Sequence, residues 1–278
     1  MKIKYLGTGA AEGVPALFCD CDYCKNIRSL GEAEFRTRSQ VIIDDIISVD
    51  FPPEAYIHSL KSGLSFARLK YLFITHSHMD HFYAHDFILR GYKYAKFDGG
   101  ILSIYGNAEV EKVFNECTAR EMKPEIAEKI KLTVIKPYGV YEVGGYKVIT
   151  IPANHSKTED ALLFYVEKGG KGYLHLYDTG RISKEAFDFL KSNNAKADIV
   201  SFDCTFGEAE GGENARHMGI SDCLLMKDLL AERNVIDKNT KLIITHFSHN
   251  CNPTRAHVSE IAKQYGFIAA YDGLETEI

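Results

Sequence analysis

No apolar run in the 278 residues approaches the roughly 18 that a membrane span needs. The opening Met1-Lys2-Ile3-Lys4-Tyr5-Leu6 has too short an apolar part for a secretory signal and reads as a strand. A cytoplasmic protein without a membrane partner is expected. A basic excess is also missing. Lys and Arg number 33 against 38 Asp and Glu, for a net charge of -5, whereas contact with a phosphate backbone usually shows as a positive surplus. Nucleic acid is therefore disfavoured as a dedicated partner, although a local basic patch fits within such a total. The seven cysteines are an odd number and cannot all pair as disulfides. The glycine-rich stretch Gly7-Thr8-Gly9-Ala10-Ala11-Glu12-Gly13 has neither the dinucleotide-binding spacing nor the Lys-Ser/Thr pair of a P-loop. It is either a tight turn or a loop that brings backbone N–H groups to an anion. No Ser, Cys or Lys has the paired base that covalent catalysis requires.

What the chain does have is ordinary soluble-protein composition, 45% hydrophobic and 26% charged, and length enough for one large α/β domain. Its densest chemistry is Ile74-Thr75-His76-Ser77-His78-Met79-Asp80-His81-Phe82, directly after the apolar Tyr71-Leu72-Phe73. A strand ending in ligands can hold a cation rigidly at its tip. His76 and His78 lie two apart and point the same way on extended chain. Asp80 and His81 are adjacent and point apart, so one loop could serve two ions. Imidazole and carboxylate suit Zn²⁺, Mn²⁺ or Fe²⁺. A second concentration is Cys19-Asp20-Cys21-Asp22-Tyr23-Cys24, whose three thiols can reach one tetrahedral ion that still needs a fourth ligand.

The His76–His81 stretch is the HxHxDH signature, and the chain resembles the metallo-β-lactamase-fold hydrolases. The string from Gly13 to Cys24 is similar to one branch of them, the phosphoribosyl cyclic phosphate phosphodiesterases of carbon–phosphorus lyase pathways, beside the ribonuclease Z-like enzymes. The resemblance implies an α/β fold, a four-layer αβ/βα sandwich spanning residues 1–278 as a single domain, with a zinc-binding loop at about 13–28. It implies a two-metal site in which His76, His78 and His155 hold one ion, Asp80, His81 and His246 hold the other, and Asp178 bridges them. It further implies a structural zinc on Cys19, Cys21, Cys24 and a distant His. His249 is favoured for that position, and Cys251 competes.

The same resemblance makes Asp80 and His217 the candidate catalytic residues, His217 as the proton donor to the leaving group. Asp50 closes a predicted hairpin, Ser39–Asp44 and Ile46–Asp50, and is read as a carboxylate behind a ligand His or else as a plain surface Asp. Asp203, at the end of the predicted strand Ala197–Thr205, is a second such support, and Cys204 is read as core. His58, on a predicted helix from Pro53 to Ser65, is expected in solvent. His85, on helical spacing from His81 to Arg90, is expected in solvent or behind the ligands. Strand alternation separates His175 from Asp178 and turns it away from the metals. Further strands are expected at Ile101–Tyr105, Leu132–Ile135, Gly145–Ile151, Leu162–Glu167 and Gly172 onward. Lys241-Leu242-Ile243-Ile244-Thr245-His246 echoes Tyr71–His76, which fits two similar halves about a pseudo-two-fold axis.

The expected activity is a dinuclear hydrolase, a phosphodiesterase for a small cyclic or nucleotide-like diester, in which metal-activated hydroxide attacks phosphorus. A ribonuclease Z-type tRNA 3′ endonuclease and a glyoxalase II-like thioesterase or lactonase are the alternatives. No Gly/Lys-rich insertion reads as a tRNA-gripping arm. A homodimer is a further partner that the resemblance permits.

Overall fold

The computed structural model describes residues 1–97, 100–251 and 254–278. In chain order the elements are β1 (Lys2–Gly7), α1 (Asp22–Leu30), β2 (Gln40–Ile43), β3 (Ile47–Val49), α2 (Ala55–Ser62), β4 (Tyr71–Phe73), β5 (Leu102–Gly106), α3 (Ala108–Thr118), α4 (Pro124–Ala127) and β6 (Ile130–Val134). The second half has β7 (Val140–Val143), β8 (Tyr146–Pro152), β9 (Leu162–Lys168), β10 (Lys171–Leu176), α5 (Lys184–Ser192), β11 (Ile199–Asp203), α6 (Ile220–Glu232), β12 (Lys241–Thr245), α7 (Arg255–Gln264), β13 (Ile268–Ala269) and β14 (Leu274–Glu277). No helix among the described residues is long and apolar enough to cross a membrane.

Two seven-stranded sheets form, in the orders β14-β1-β2-β3-β4-β5-β6 and β13-β12-β11-β10-β9-β8-β7. Alternation along each strand sends one set of side chains between the sheets and the other toward helices. Phe73 and Tyr173 point inward, packing with Ile3, Val49, Phe164 and Ile199. Their neighbours point outward: Leu72 packs with Phe87 and Val110, and Leu174 packs with Phe187 and Met226. Three apolar layers between four layers of secondary structure make the αβ/βα sandwich expected from the sequence.

The strands β3 to β6 run parallel in one sheet, and β10 to β13 run parallel in the other. Binding groups gather outside the carboxyl ends of parallel strands. Here Asp50 follows β3, His76 follows β4, Asp178 follows β10 and His246 follows β12. The echo between Tyr71–His76 and Lys241–His246 therefore falls on two inner parallel strands, one in each sheet.

The helical spacing from His81 to Arg90 gives only a 3-10 segment, Ala84–Leu89. Phe51 N donates to His81 O at 2.7 Å, and Tyr83 N donates to Phe51 O at 2.7 Å. This ladder pairs Phe82 with Phe51 as a β-bridge and delays the helix. The predicted helix from Pro53 to Ser65 is shorter, stopping at Gly63 in a left-handed cap with φ 68. The elements α1, α4, α7 and β7 are additional to those read from the sequence.

Candidate metal centre

Thr75 and His76 leave the end of β4 at the mouth between the sheets. Nε2 of His76 stands 2.9 Å from Nδ1 of His78 and 3.2 Å from Oδ2 of Asp178. His155, beyond the end of β8, places Nε2 3.3 Å from Nδ1 of His78 and Nδ1 3.1 Å from Oδ1 of Asp178. On the other side of Asp178, Nε2 of His81 lies 2.9 Å from Oδ2 of Asp178 and 3.1 Å from Oδ2 of Asp80. His246 stacks on His81 with ring centroids 5.7 Å apart.

Two sets result, His76, His78, His155 with Asp178, and Asp80, His81, His246 with Asp178, each with ligand atoms within 4.8 Å of one another. The donor chemistry fits divalent cations. Nε2 of His81, Nδ1 of His155, Oδ1 of Asp178 and Nε2 of His246 are buried without a hydrogen-bond partner. Four orphaned polar atoms facing one another would be costly unless something binds them. The separations also suit a shared ion, because two nitrogens about 2.05 Å from one tetrahedral zinc are about 3.3 Å apart.

The backbone is strained where the ligands sit. Asp50, Asp178 and His246 all adopt left-handed φ, at 63, 57 and 63, a conformation that is uncommon for non-glycine residues. At Asp178 this turn ends the strand alternation, with a consequence for His175. Contrary to the sequence expectation, His175 lies on the face between the sheets. Its Nδ1 is 3.2 Å from the Tyr173 hydroxyl, and its ring centroid is 3.6 Å from that of Tyr177. Burial pushes His175 well below its ordinary range, and the neighbouring His81 and His246 push the same way.

Electrostatics couple the cluster. Burial favours a neutral Asp178, but His246, His76 and His81 outweigh it and hold the carboxylate well below its usual range. Burial opposes a charged His81, and Asp80 and Asp50 overcome it, raising the imidazole well above its ordinary value. His155 is pushed down to about 4 by burial.

Outer residues fix the rings. Asp50 Oδ2 is 2.7 Å from His81 Nδ1, so it is a buried support rather than a surface Asp. Thr75 Oγ1 is 3.0 Å from His76 Nδ1. In the second half Thr205 Oγ1 is 2.8 Å from His246 Nδ1, and Asp203 Oδ2 is 3.1 Å from His217 Nδ1. Burial opposes protonation of His217, but the hydrogen bond and charge of Asp203 raise it to about 9. Glu159 accepts from Ser77 N at 3.0 Å and Asn107 Nδ2 at 2.8 Å, bracing the loops of His76 and His155 together. Sequence reading missed Thr75, Thr205 and Glu159. The repeated Thr-His pair at 75–76 and 245–246 was a signal for the first.

A cavity of about 260 Å³ opens over the cluster, lined by His78, Asp80, His155, His217 and His246 together with Glu12 and Phe206. No Lys or Arg lines it among the described residues. The glycine-rich loop contributes Ala10, Ala11 and Glu12 to the wall, but its amides serve the fold. Gly9 N donates to Thr37 O at 2.8 Å and Ala10 N to Phe247 O at 3.0 Å, and a Cβ at Gly7 would collide with Arg38 O.

Beside the cavity, Cys19, Cys21, Cys24 and His249 converge, again with ligand atoms within 4.8 Å of one another. Cys24 Sγ lies 3.5 Å from His249 Nδ1. Cys21 caps α1, and the Cys24 amide lowers its thiol to about 6. Burial raises Cys24 to about 11. Cys251 is outside this set and donates instead to Thr205 O at 3.2 Å. Cys204 is buried in the core, as read.

His85 is exposed on its 3-10 segment, as one of its two readings had it. His58 is not in solvent. It is buried, with Nδ1 2.7 Å from Gln40 Oε1 and Nε2 2.7 Å from Thr37 Oγ1, because α2 packs this face onto β1 and β2.

The profile of the β-lactamase superfamily domain matches residues 41–247. The chain belongs to the metallo-β-lactamase superfamily. As such it has the metallo-β-lactamase fold. It is 27% identical to a ribonuclease Z of Picrophilus torridus over 212 residues, which is 72% of this chain and 53% of the relative. The chain spans about half the length of the ribonuclease Z relatives it matches. Among solved structures, a diphosphatase from the PhnP family aligns with a TM-score of 0.72 and 22% identity, covering 100% of this chain and 97% of the other. Zinc-bound PqqB from Methylobacterium extorquens aligns with a TM-score of 0.74 and 18% identity, over 100% of both chains. At these identities the structural likeness concerns the fold.

Proposed function

We propose that this superfamily hydrolase is a dinuclear metal-dependent phosphodiesterase acting on a small cyclic or nucleotide-like diester. The observation that carries the reading is the convergence of six ligand-type side chains on Asp178 beneath a 260 Å³ cavity that has His217 on its wall. His76, His78 and His155 would hold one cation and Asp80, His81 and His246 the other, with Asp178 between them. Bound there, two divalent ions would acidify water and offset charge on the phosphoryl oxygens.

The chain's own groups account for the rest. Asp50, Thr75 and Thr205 hold the ring tautomers so that free nitrogens face the cations. Asp80 lines the cavity and would stand beside the attacking water as well as holding a cation. Asp203 keeps His217 protonated, and His217 gives that proton to the departing oxygen. Two relatives support reaction at phosphorus by their names, a diphosphatase and a ribonuclease. The small cavity without Lys or Arg favours a small diester over tRNA, whose polyanionic backbone calls for cationic contacts. Cys19, Cys21, Cys24 and His249 would hold a structural zinc whose loop borders the same cavity.

Elemental analysis with turnover assays tests this reading. About three metals per chain, and hydrolysis of bis(p-nitrophenyl) phosphate and a cyclic nucleotide, are expected. Cleavage of precursor tRNA in preference to both would favour the ribonuclease Z alternative. Activity on a thioester or lactone alone would overturn the phosphodiesterase assignment.

A further inference from the structure

His217 rides on the loop between β11 and α6, in which every residue from 206 to 217 is exposed or half-exposed and the buried apolar anchor, Met218, comes only after His217. A segment without buried contacts opens readily unless hydrogen bonds hold it. Asp203 accepts from Met218 N at 3.0 Å just after His217, and the bonds that reach both sides of His217 converge on a second carboxylate. Asp222, fully buried in the first turn of α6, accepts through Oδ2 from Gly211 N at 2.8 Å and from Gly219 N at 2.9 Å. Those two amides bracket His217. Through Oδ1 it accepts from Arg181 Nε at 2.7 Å and Gly212 N at 3.4 Å. Arg181 follows Asp178 by three residues and also reaches Glu210 at 3.4 Å.

The contacts leave little slack. Asn154, next to His155, donates to Ala215 O at 3.2 Å. A Cβ at Gly180 would collide with Ala215 O, and one at Gly219 with Ala209 O. The loop thus lies backbone to backbone against the segment that carries Asp178. Asp222 itself lines no part of the cavity and belongs to no ligand set.

We propose that Asp222, with Arg181, is the positioning residue that holds His217 over the metal centre, an inference resting on His217 as the proton donor. The amides of Gly211 and Gly219 and the guanidinium of Arg181 are gathered on one buried carboxylate, so losing an acceptor oxygen loosens the loop on both sides of His217 together.

The test compares Asp222→Asn, His217→Ala and the double variant as metal-loaded enzymes on two diesters. Bis(p-nitrophenyl) phosphate has a leaving group that departs without a proton; methyl phenyl phosphate has one that needs it. Asp222→Asn should lose roughly tenfold or more in turnover on the poor leaving group and under about threefold on the good one. Adding it to His217→Ala should cause no further loss, as expected of residues acting as a unit. Trypsin should also cut faster after the exposed Arg216. Arg181→Met is the second variant should Asp222→Asn not fold, with the same pattern at smaller size.

Wild-type cleavage rates at Arg216, equal losses on both diesters, or loss of bound metal would overturn the proposal. Faster cleavage at Arg216 with no leaving-group dependence in His217→Ala would retain the clamp and remove the donor role, so the two failures read differently.

Discussion

Asp50 and His81 meet at 2.7 Å, carboxylate oxygen to Nδ1, with both side chains buried. The same carboxylate takes the Thr75 amide at 2.8 Å, so one group fixes both the loop that starts the ligand motif and the ring that ends it. With Nδ1 committed as a donor, Nε2 of His81 is left to bind a cation. Asp50→Asn should therefore weaken one of the two catalytic cations by about 10–100-fold, the usual effect of losing such a support. Competition against a chelator measures this; unchanged dissociation constants for both cations would show that the contact does not tune the metal.

His217→Ala should lower turnover on an unactivated diester by roughly 10²–10⁴-fold, the range general acid catalysis covers, while metal content stays at the wild-type level. Asp178, Asp203, His217 and His246 also form a group with ligand atoms within 4.8 Å. Loss of a metal with the imidazole would assign His217 to coordination instead.

His249→Ala should remove one zinc and leave the two catalytic cations. Zinc bound at about 1,000 times its dissociation constant contributes roughly 4 kcal/mol, so the thermal midpoint should fall on the order of 10 °C. Cys251→Ser should keep the zinc, because its thiol points to the Thr205 carbonyl. Zinc loss in Cys251→Ser with retention in His249→Ala would reverse the assignment.

The sequence was most legible where chemistry is crowded. His76, His78, Asp80 and His81 lie within six positions, and few structural needs explain such a run. His155, Asp178 and His246 each end a strand, and only the family resemblance separated them from ordinary strand-end residues. His175 was misplaced because alternation holds only while the backbone stays extended, and the left-handed φ of 57 at Asp178 breaks it. Asp222 went unread because its partners are backbone amides of Gly211 and Gly219, which no side-chain motif announces. His58 was taken for a surface residue because α2 has only a weak apolar stripe. What buries it is a polar partner set, Gln40 and Thr37, supplied by distant sequence.

That burial gives His58 a measurable signature. It stays neutral in the fold, and burial lowers it from 6.5 to about 3. Gln40 Nε2 donates to Ser48 Oγ at 3.0 Å, so Gln40 Oε1 is the acceptor and His58 Nδ1 the donor, leaving Nε2 unprotonated toward Thr37. The unfolded chain takes up a proton below about pH 6.5 that the folded chain refuses until about pH 3. Stability from this residue is thus fully present above pH 6.5 and drains away as the pH falls through that window. Each unit is worth about 1.4 kcal/mol. His58→Asn cannot titrate, and the metal-site histidines contribute equally to both proteins. The stability difference, wild type minus His58→Asn, should therefore shrink by about 1.4 kcal/mol per pH unit between pH 6 and 4 in urea melts. A difference that stays flat over that range would mean that His58 is protonated in the fold or free to reach solvent.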